Sequence, residues 1–258
     1  MSRNSQRLFI PGPLGRISAI LDEPEGPSRG LGVFAHCFSC TKDLKAIVKI
    51  SRGLARCGYT VCRFDFAGLG NSEGQFPDTT FQDNLNDVRS VVSYLAREFS
   101  SPNFLLGHSL GGSAMMATAD EFDSVEAVSV IASPSDTNHL ADTLTRLNPD
   151  VVKQGEGLVN TGTYEYLIRK QTVDALREYD LPGRLSSLEK RLLVFHSPAD
   201  RTLGFEHAQA IADLAAGPVS ILNLESANHL LTNTPEDCDF ISKALSNWLD
   251  RYLSCSRS

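Results

Sequence analysis

The sequence predicts an α/β protein built on a doubly wound, mostly parallel sheet carrying a small cap insertion. Three observations point there. Short apolar runs rich in β-branched residues recur at 31–35, 60–66, 103–106, 127–131, 191–195 and 220–224, with the length and continuity of strands buried on both faces. Helical patterns fall between most of them, and strand–helix alternation is the signature of parallel crossovers. The chain has 258 residues, 41% of them hydrophobic and 21% charged, which allows one large core. A single domain over 1–258 is the expectation.

Taken in order, 7–10 and 16–21 bracket Pro11-Gly12-Pro13 and read as an antiparallel edge hairpin. Helices are expected at 44–57, 110–120, 205–215 and 237–252. The clearest helical face is Phe81, Leu85, Val88, Val92, Leu95 and Phe99, stepping by four and three residues. Trp248 with Leu245 and Leu249 reads as core packing. From about 134 to 190 the rhythm breaks: polar stretches surround a Gly155-Glu156-Gly157 turn, and only Leu140, Leu144, Leu147 and Val151 hint at a pattern. A segment this long inside a compact domain is expected to be a cap or lid.

Composition narrows the partners. Twenty-four basic residues against thirty-one acidic ones, a net charge of −7, argue against nucleic acid. No apolar stretch approaches the ~18 residues of a membrane span, and the N-terminus has no secretory h-region. A cytoplasmic location without membrane attachment is expected. Six cysteines, at 37, 40, 57, 62, 238 and 255, are too sparse for a disulfide scaffold and are expected to be reduced thiols.

The chemistry concentrates at Gly107-His108-Ser109-Leu110-Gly111, which follows the apolar run 103–106 and opens a small-residue helix. This is the nucleophile-elbow pattern, in which glycines two before and two after the serine let strand and helix approach. Ser109 becomes the candidate nucleophile. A serine needs a base, and His229, in Ala227-Asn228-His229 after the last strand, stands where the chain order serine, acid, histidine places it. His36 and His108 read as backbone-organising groups, His139 and His207 as surface residues, and His196 as a strand-end core residue. The acid that orients the base should lie between Ser109 and His229. Asp200, after the run 191–195, is preferred over Asp136, which opens the insertion. Backbone N–H groups of Phe38 and Leu110 are the expected oxyanion donors.

The blocks His36-Cys37-Phe38-Ser39-Cys40-Thr41-Lys42-Asp43, Arg63 through Gly74 with its Asp65-Phe66-Ala67-Gly68-Leu69-Gly70 core, Gly107 through Gly112, and Ala227 through Leu231 together resemble the α/β-hydrolase superfamily. The first block is similar to the hydrolase half of bacterial proteins that fuse such a domain to an OsmC-like domain. The chain ends after the last hydrolase helix, so no OsmC-like half is expected here. Cys37 stands where the family's oxyanion loop usually has glycine. The resemblance implies an α/β-hydrolase fold and a carboxylesterase-like serine hydrolase acting on a small acyl substrate, without cofactor or metal. Oligomeric state is left open. Asp65 is expected to serve backbone amides rather than catalysis. Cys37-x-x-Cys40 keeps a rival alive, a thiol-based redox or stress-response module; a non-catalytic binding protein on the same fold is the other alternative.

Overall fold

The computed structural model describes residues 5–161 and 164–253. Ten strands are found among them: β1 (Ser5–Gly12), β2 (Gly15–Asp22), β3 (Leu31–Ala35), β4 (Thr60–Phe64), β5 (Phe104–His108), β6 (Ala127–Ile131), β7 (Glu156–Asn160), β8 (Glu165–Arg169), β9 (Arg191–His196) and β10 (Val219–Asn223). The helices are α1 (Lys45–Arg56), α2 (Phe81–Glu98), α3 (Leu110–Thr118), α4 (Asn138–Leu147), α5 (Asp150–Lys153), α6 (Lys170–Glu178), α7 (Leu181–Ser187), α8 (Glu206–Leu214) and α9 (Asp237–Tyr252). Among the described residues no helix is long and apolar enough to cross a membrane.

Eight strands form one sheet in the order β1-β2-β4-β3-β5-β6-β9-β10, parallel from β4 onward and antiparallel at the β1–β2 edge and where β2 meets β4. β3, β4, β5 and β6 are buried along their whole length, which is why they read as continuous apolar runs rather than alternating ones. Two apolar layers cover the sheet. One packs α1 and α9 through Ile47, Ile50, Ile241 and Leu245; the other packs α2, α3, α7 and α8 through Leu85, Val88, Met115, Leu185 and Ile211.

The chain runs from β3 outward to β4, then crosses back to β5 on the other side of β3. That reversal opens a crevice at the carboxyl ends of β3 and β5, where Ala35 pairs with Gly107. The site is built there. Residues 134–190, where the sequence offers only a fragmentary pattern, hold α4 to α7 and the two-stranded β7–β8 sheet. Ala141, Leu144, Val151, Val159, Ile168 and Val173 from this stretch join the same apolar cluster as α2 and α3.

Three expectations need correction. Cys37 and Cys40 are joined by a disulfide rather than being free thiols; Cys57, Cys62 and Cys238 are free, and Cys255 lies outside the described residues. Four residues of turn bring the two sulfurs together, a closeness that spacing alone leaves undecided. Phe99 is 43% exposed because α2 ends at Glu98, before that side chain can turn inward. His139 and His207 are partly buried, and they meet edge to face with ring centroids 5.1 Å apart.

Candidate active site

Ser109 sits between β5 and α3 with φ 52° and ψ −125°, a conformation L-residues avoid. The neighbouring glycines explain how the turn closes. A Cβ on Gly107 would lie 2.4 Å from Gly112 Cα, and one on Gly111 would lie 2.4 Å from the His36 carbonyl oxygen. The strained backbone is pinned by Ser109 N–H donating to Ile131 C=O at 2.9 Å. Ser109 Oγ consequently points out of the sheet end.

It meets His229. Ser109 Oγ lies 3.0 Å from His229 Nε2, and His229 Nδ1 lies 2.8 Å from Asp200 Oδ2. With Asp200 accepting at Nδ1–H, the Nε2 lone pair is left to accept the serine proton. Asp200 is itself fixed, because its Oδ1 accepts from Thr202 N–H at 2.8 Å and Leu203 N–H at 3.1 Å. Burial works against its charge, but the hydrogen bond from His229, that ring's charge and the two amides outweigh it and hold the carboxyl below its ordinary value. Asp136, the other candidate acid, lies elsewhere: it accepts from His139 N–H at 3.0 Å and stands 3.9 Å from His207.

Two further histidines brace the arrangement. His36, fully buried after β3, donates from Nδ1 to the Cys37 carbonyl at 2.7 Å and accepts Phe66 N–H at Nε2, 3.1 Å away. Burial lowers its pKa, so the ring stays neutral and keeps that tautomer. His108, next to the serine and 2% exposed, donates from Nε2 to the backbone carbonyl of His229 at 2.7 Å. Burial, with His229 alongside, pushes its pKa down to about 3. Its Nδ1 has no hydrogen-bond partner among the described residues.

Phe38 and Leu110 both line the cavity over Ser109, and neither backbone N–H meets an acceptor among the described residues. The Phe38 loop is fastened at both ends. Besides His36 on its entry side, a turn closes it through Cys40 N–H to Cys37 C=O at 3.2 Å. On its exit side Lys42, 3% exposed, gives its backbone N–H to Asp65 Oδ1 and its Nζ to Asp65 Oδ2, both at 2.7 Å. Arg63 donates to the Lys42 carbonyl at 2.8 Å and is held in turn by buried Asp22. Asp65 also accepts Asn71 N–H at 2.8 Å. It serves backbone amides, as its Gly-rich surroundings suggest, and a buried lysine as well. Lys42 escaped sequence reading, since nothing in Thr41-Lys42-Asp43 distinguishes a buried lysine from a solvated one.

The cavity over Ser109 has a volume of about 380 Å³, at the small end for a ligand site. Its walls are Phe38 and the Cys37–Cys40 loop on one side and Leu140, Leu144 and Leu147 of α4 on the other. A larger cleft at Glu23 to Pro27 has no histidine among the described residues of its lining, and the Asp22 carboxylate that meets the Ser5 hydroxyl there is already held by Arg63.

Comparison with known proteins agrees with this fold. Residues 40–154 match the family described as serine aminopeptidase, S33. The esterase domain of a Rhodothermus marinus protein is 36% identical, with a TM-score of 0.80, over 97% of this chain and 100% of that one. Est1E of Butyrivibrio proteoclasticus, solved with ferulic acid bound, superposes with a TM-score of 0.83 over 96% of this chain and 99% of its own at 19% identity, a likeness of fold. The mitochondrial palmitoyl-protein thioesterase ABHD10 of Homo sapiens is 35% identical over 81 residues, 31% of this chain. That matched stretch spans about a quarter, 26%, of the thioesterase's length. With the sheet order, the strained serine turn and the end-to-end esterase relative in agreement, the chain belongs to the α/β-hydrolase superfamily of serine hydrolases.

Proposed function

We propose that this protein hydrolyses a small ester or thioester through an acyl-enzyme on Ser109. The observation that carries the reading is the continuous contact Ser109–His229–Asp200 at the floor of an apolar cavity. Ser109 Oγ attacks the acyl carbon while its proton passes to His229 Nε2; Asp200 holds the ring and balances the imidazolium charge. The carbonyl oxygen becomes the oxyanion, received by Phe38 N–H and Leu110 N–H, the latter at the positive end of α3. Collapse releases an alcohol or thiol that takes the Nε2 proton. Water then repeats the attack on the acyl-enzyme, His229 serving first as base and then as acid, and a carboxylic acid leaves. Residues 134–190 act as the cap of one hydrolase domain. Ester and thioester both remain in view because the relatives include an esterase domain and, over a shorter stretch, a thioesterase.

The test is labelling with a fluorophosphonate. A single adduct at Ser109, absent in Ser109→Ala and His229→Ala, with matching loss of p-nitrophenyl acetate hydrolysis, is the expected result. Full turnover in Ser109→Ala would remove the proposal. The disulfide favours weighing one other reading, in which Cys37 and Cys40 cycle between oxidised and reduced forms. A cytoplasmic location would bring the pair into contact with a reducing thiol pool. Thiol-dependent peroxide consumption that survives Ser109→Ala would support that reading.

A further inference from the structure

Helix α4 carries Leu140, Leu144 and Leu147 at steps of four and three, so the three side chains form one stripe along its axis, and all three line the cavity. The two ends of the stripe are distinguishable. At its first turn His139 Nε2 donates to the Thr202 carbonyl at 3.2 Å, and Thr202 N–H is one of the donors that fix Asp200. This end therefore lies beside the triad. At the other end Asn148, next to Leu147, donates from Nδ2 to the Leu158 carbonyl of β7 at 3.0 Å. Leu158 lies on the same face of the β7–β8 hairpin as Asn160, which lines the cavity.

Leu147 is 52% exposed, and Leu158, outside the cavity lining but tied to Asn148, is 56% exposed, so two leucines stand at the outer end of the stripe as its lip. Isolated exposed leucines need no explanation, but two that continue a buried stripe do. Among the described residues, none of those lining the cavity is Lys, Arg, Asp or Glu. From Leu140 to Leu147 the helix rises about 10 Å at ~1.5 Å per residue. A saturated chain advances about 1.25 Å per carbon, from bonds of ~1.5 Å at tetrahedral angles. The stripe is about eight carbons long, and the lip accommodates several more.

We infer that the substrate carries a linear, uncharged acyl chain of about eight to twelve carbons, its carbonyl at Ser109 and its tail running along α4 to the Leu147–Leu158 lip. This rests on the acyl-enzyme reading and adds the acyl class and its ruler. Asn160 and Thr161 also line the cavity, so a phenolic acyl group such as feruloyl, whose hydroxyl they could meet, is the competing occupant that the test must reject.

The test is kcat/KM for p-nitrophenyl acetate, butyrate, octanoate and dodecanoate below their aggregation concentrations, with methyl ferulate alongside. The expected rise from butyrate to octanoate is at most about fourfold per methylene. Leu147→Ser and Leu158→Ser should each lower the dodecanoate-to-butyrate ratio several-fold, and together about tenfold. Because the ratio is taken within one preparation, partial misfolding cancels. A profile that is flat or falls beyond acetate, a preference for ferulate, or an unchanged ratio in the double variant overturns the inference. Calorimetric titration of Ser109→Ala with methyl octanoate and methyl butyrate separates the two readings. If wild type hydrolyses no ester, the acyl-enzyme reading fails, yet tighter octanoate binding still supports the chain site, and equal or absent binding refutes it.

Discussion

Replacing His108 with leucine removes a single N–H from beneath the His229 loop. In the folded chain that N–H, on Nε2, reaches the His229 carbonyl over 2.7 Å. The rest of the His229 loop is tied mainly to itself: Leu231 N–H to Asn228 C=O, Asn228 N–H to Asn233, and Asn233 Nδ2 to the Ser226 carbonyl. Its Leu231 also holds a positive φ of 55°, so the loop has somewhere to relax. An abandoned buried carbonyl costs about 1–3 kcal/mol. If the loop shifts to find water instead, His229 moves relative to Ser109, and a misplacement near 1 Å costs roughly 10²-fold. We therefore expect kcat to fall between about tenfold and a hundredfold, with KM changing much less. Because the ring's pKa lies near 3, it is neutral throughout the working range, and the pH–rate profile should keep its wild-type inflections. His108→Gln, which can present an amide N–H near the same place, should recover part of the loss. The assay is steady-state p-nitrophenyl butyrate hydrolysis, with stability followed by urea unfolding. Wild-type kcat in His108→Leu, or a new inflection near neutrality, would refute the reasoning.

Asp200→Asn should lower kcat on the order of 10⁴-fold, while Asp136→Asn, whose carboxylate faces His139 and His207, should change it little; the reverse ranking in steady-state kinetics would reassign the acid. Burial, helped by Asp83 and opposed by Ala67 N–H, raises the Asp87 carboxyl from 3.8 to about 7. Between those pH values the native state keeps a proton that the unfolded chain has released, so stability is full below pH 3.8 and declines toward pH 7, by about 4 kcal/mol in all. Asp87→Asn should flatten that decline, and urea titrations at pH 5 and pH 8 that move in parallel for both proteins would contradict it. Reduction of Cys37–Cys40 should alter esterase activity less than about twofold, because His36 and Lys42 anchor the loop from both ends; a sharp redox midpoint in activity, lost in Cys40→Ser, would show the opposite.

Local signals carried most of the framework. The buried strands were legible because both faces are covered, leaving unbroken apolar runs such as Leu31-Gly32-Val33-Phe34-Ala35. Their ends were less so: β5 continues through Gly107 and His108 because backbone pairing with β6 persists where apolar character stops. Ser109 and His229 could be picked by motif and chain order, and Asp200 by its place after a strand. Three things were not legible. The disulfide depends on a turn, the burial of Lys42 depends on Asp65 just past the end of β4, and the cavity wall depends on the tertiary placement of α4. Leu140, Leu144, Leu147 and Val151 were visible as a pattern, yet it did not tell that Leu144 and Val151 are core residues while Leu147 is 52% exposed.

β6 and β9 are hydrogen-bonded neighbours along five residue pairs, from Ala127↔Arg191 to Ile131↔Phe195. Everything from α4 to α7 is thus paid out between two strands that close beneath it, and the sheet would be equally continuous above a different excursion. Ser109, Asp200 and His229 all lie outside that excursion, whereas Leu140, Leu144, Leu147 and Asn160 belong to it. On the proposed reading, reaction and selectivity are consequently written on separable lengths of chain. Evolution, or a protein engineer, can exchange the part that chooses the acyl group while inheriting the part that cleaves it.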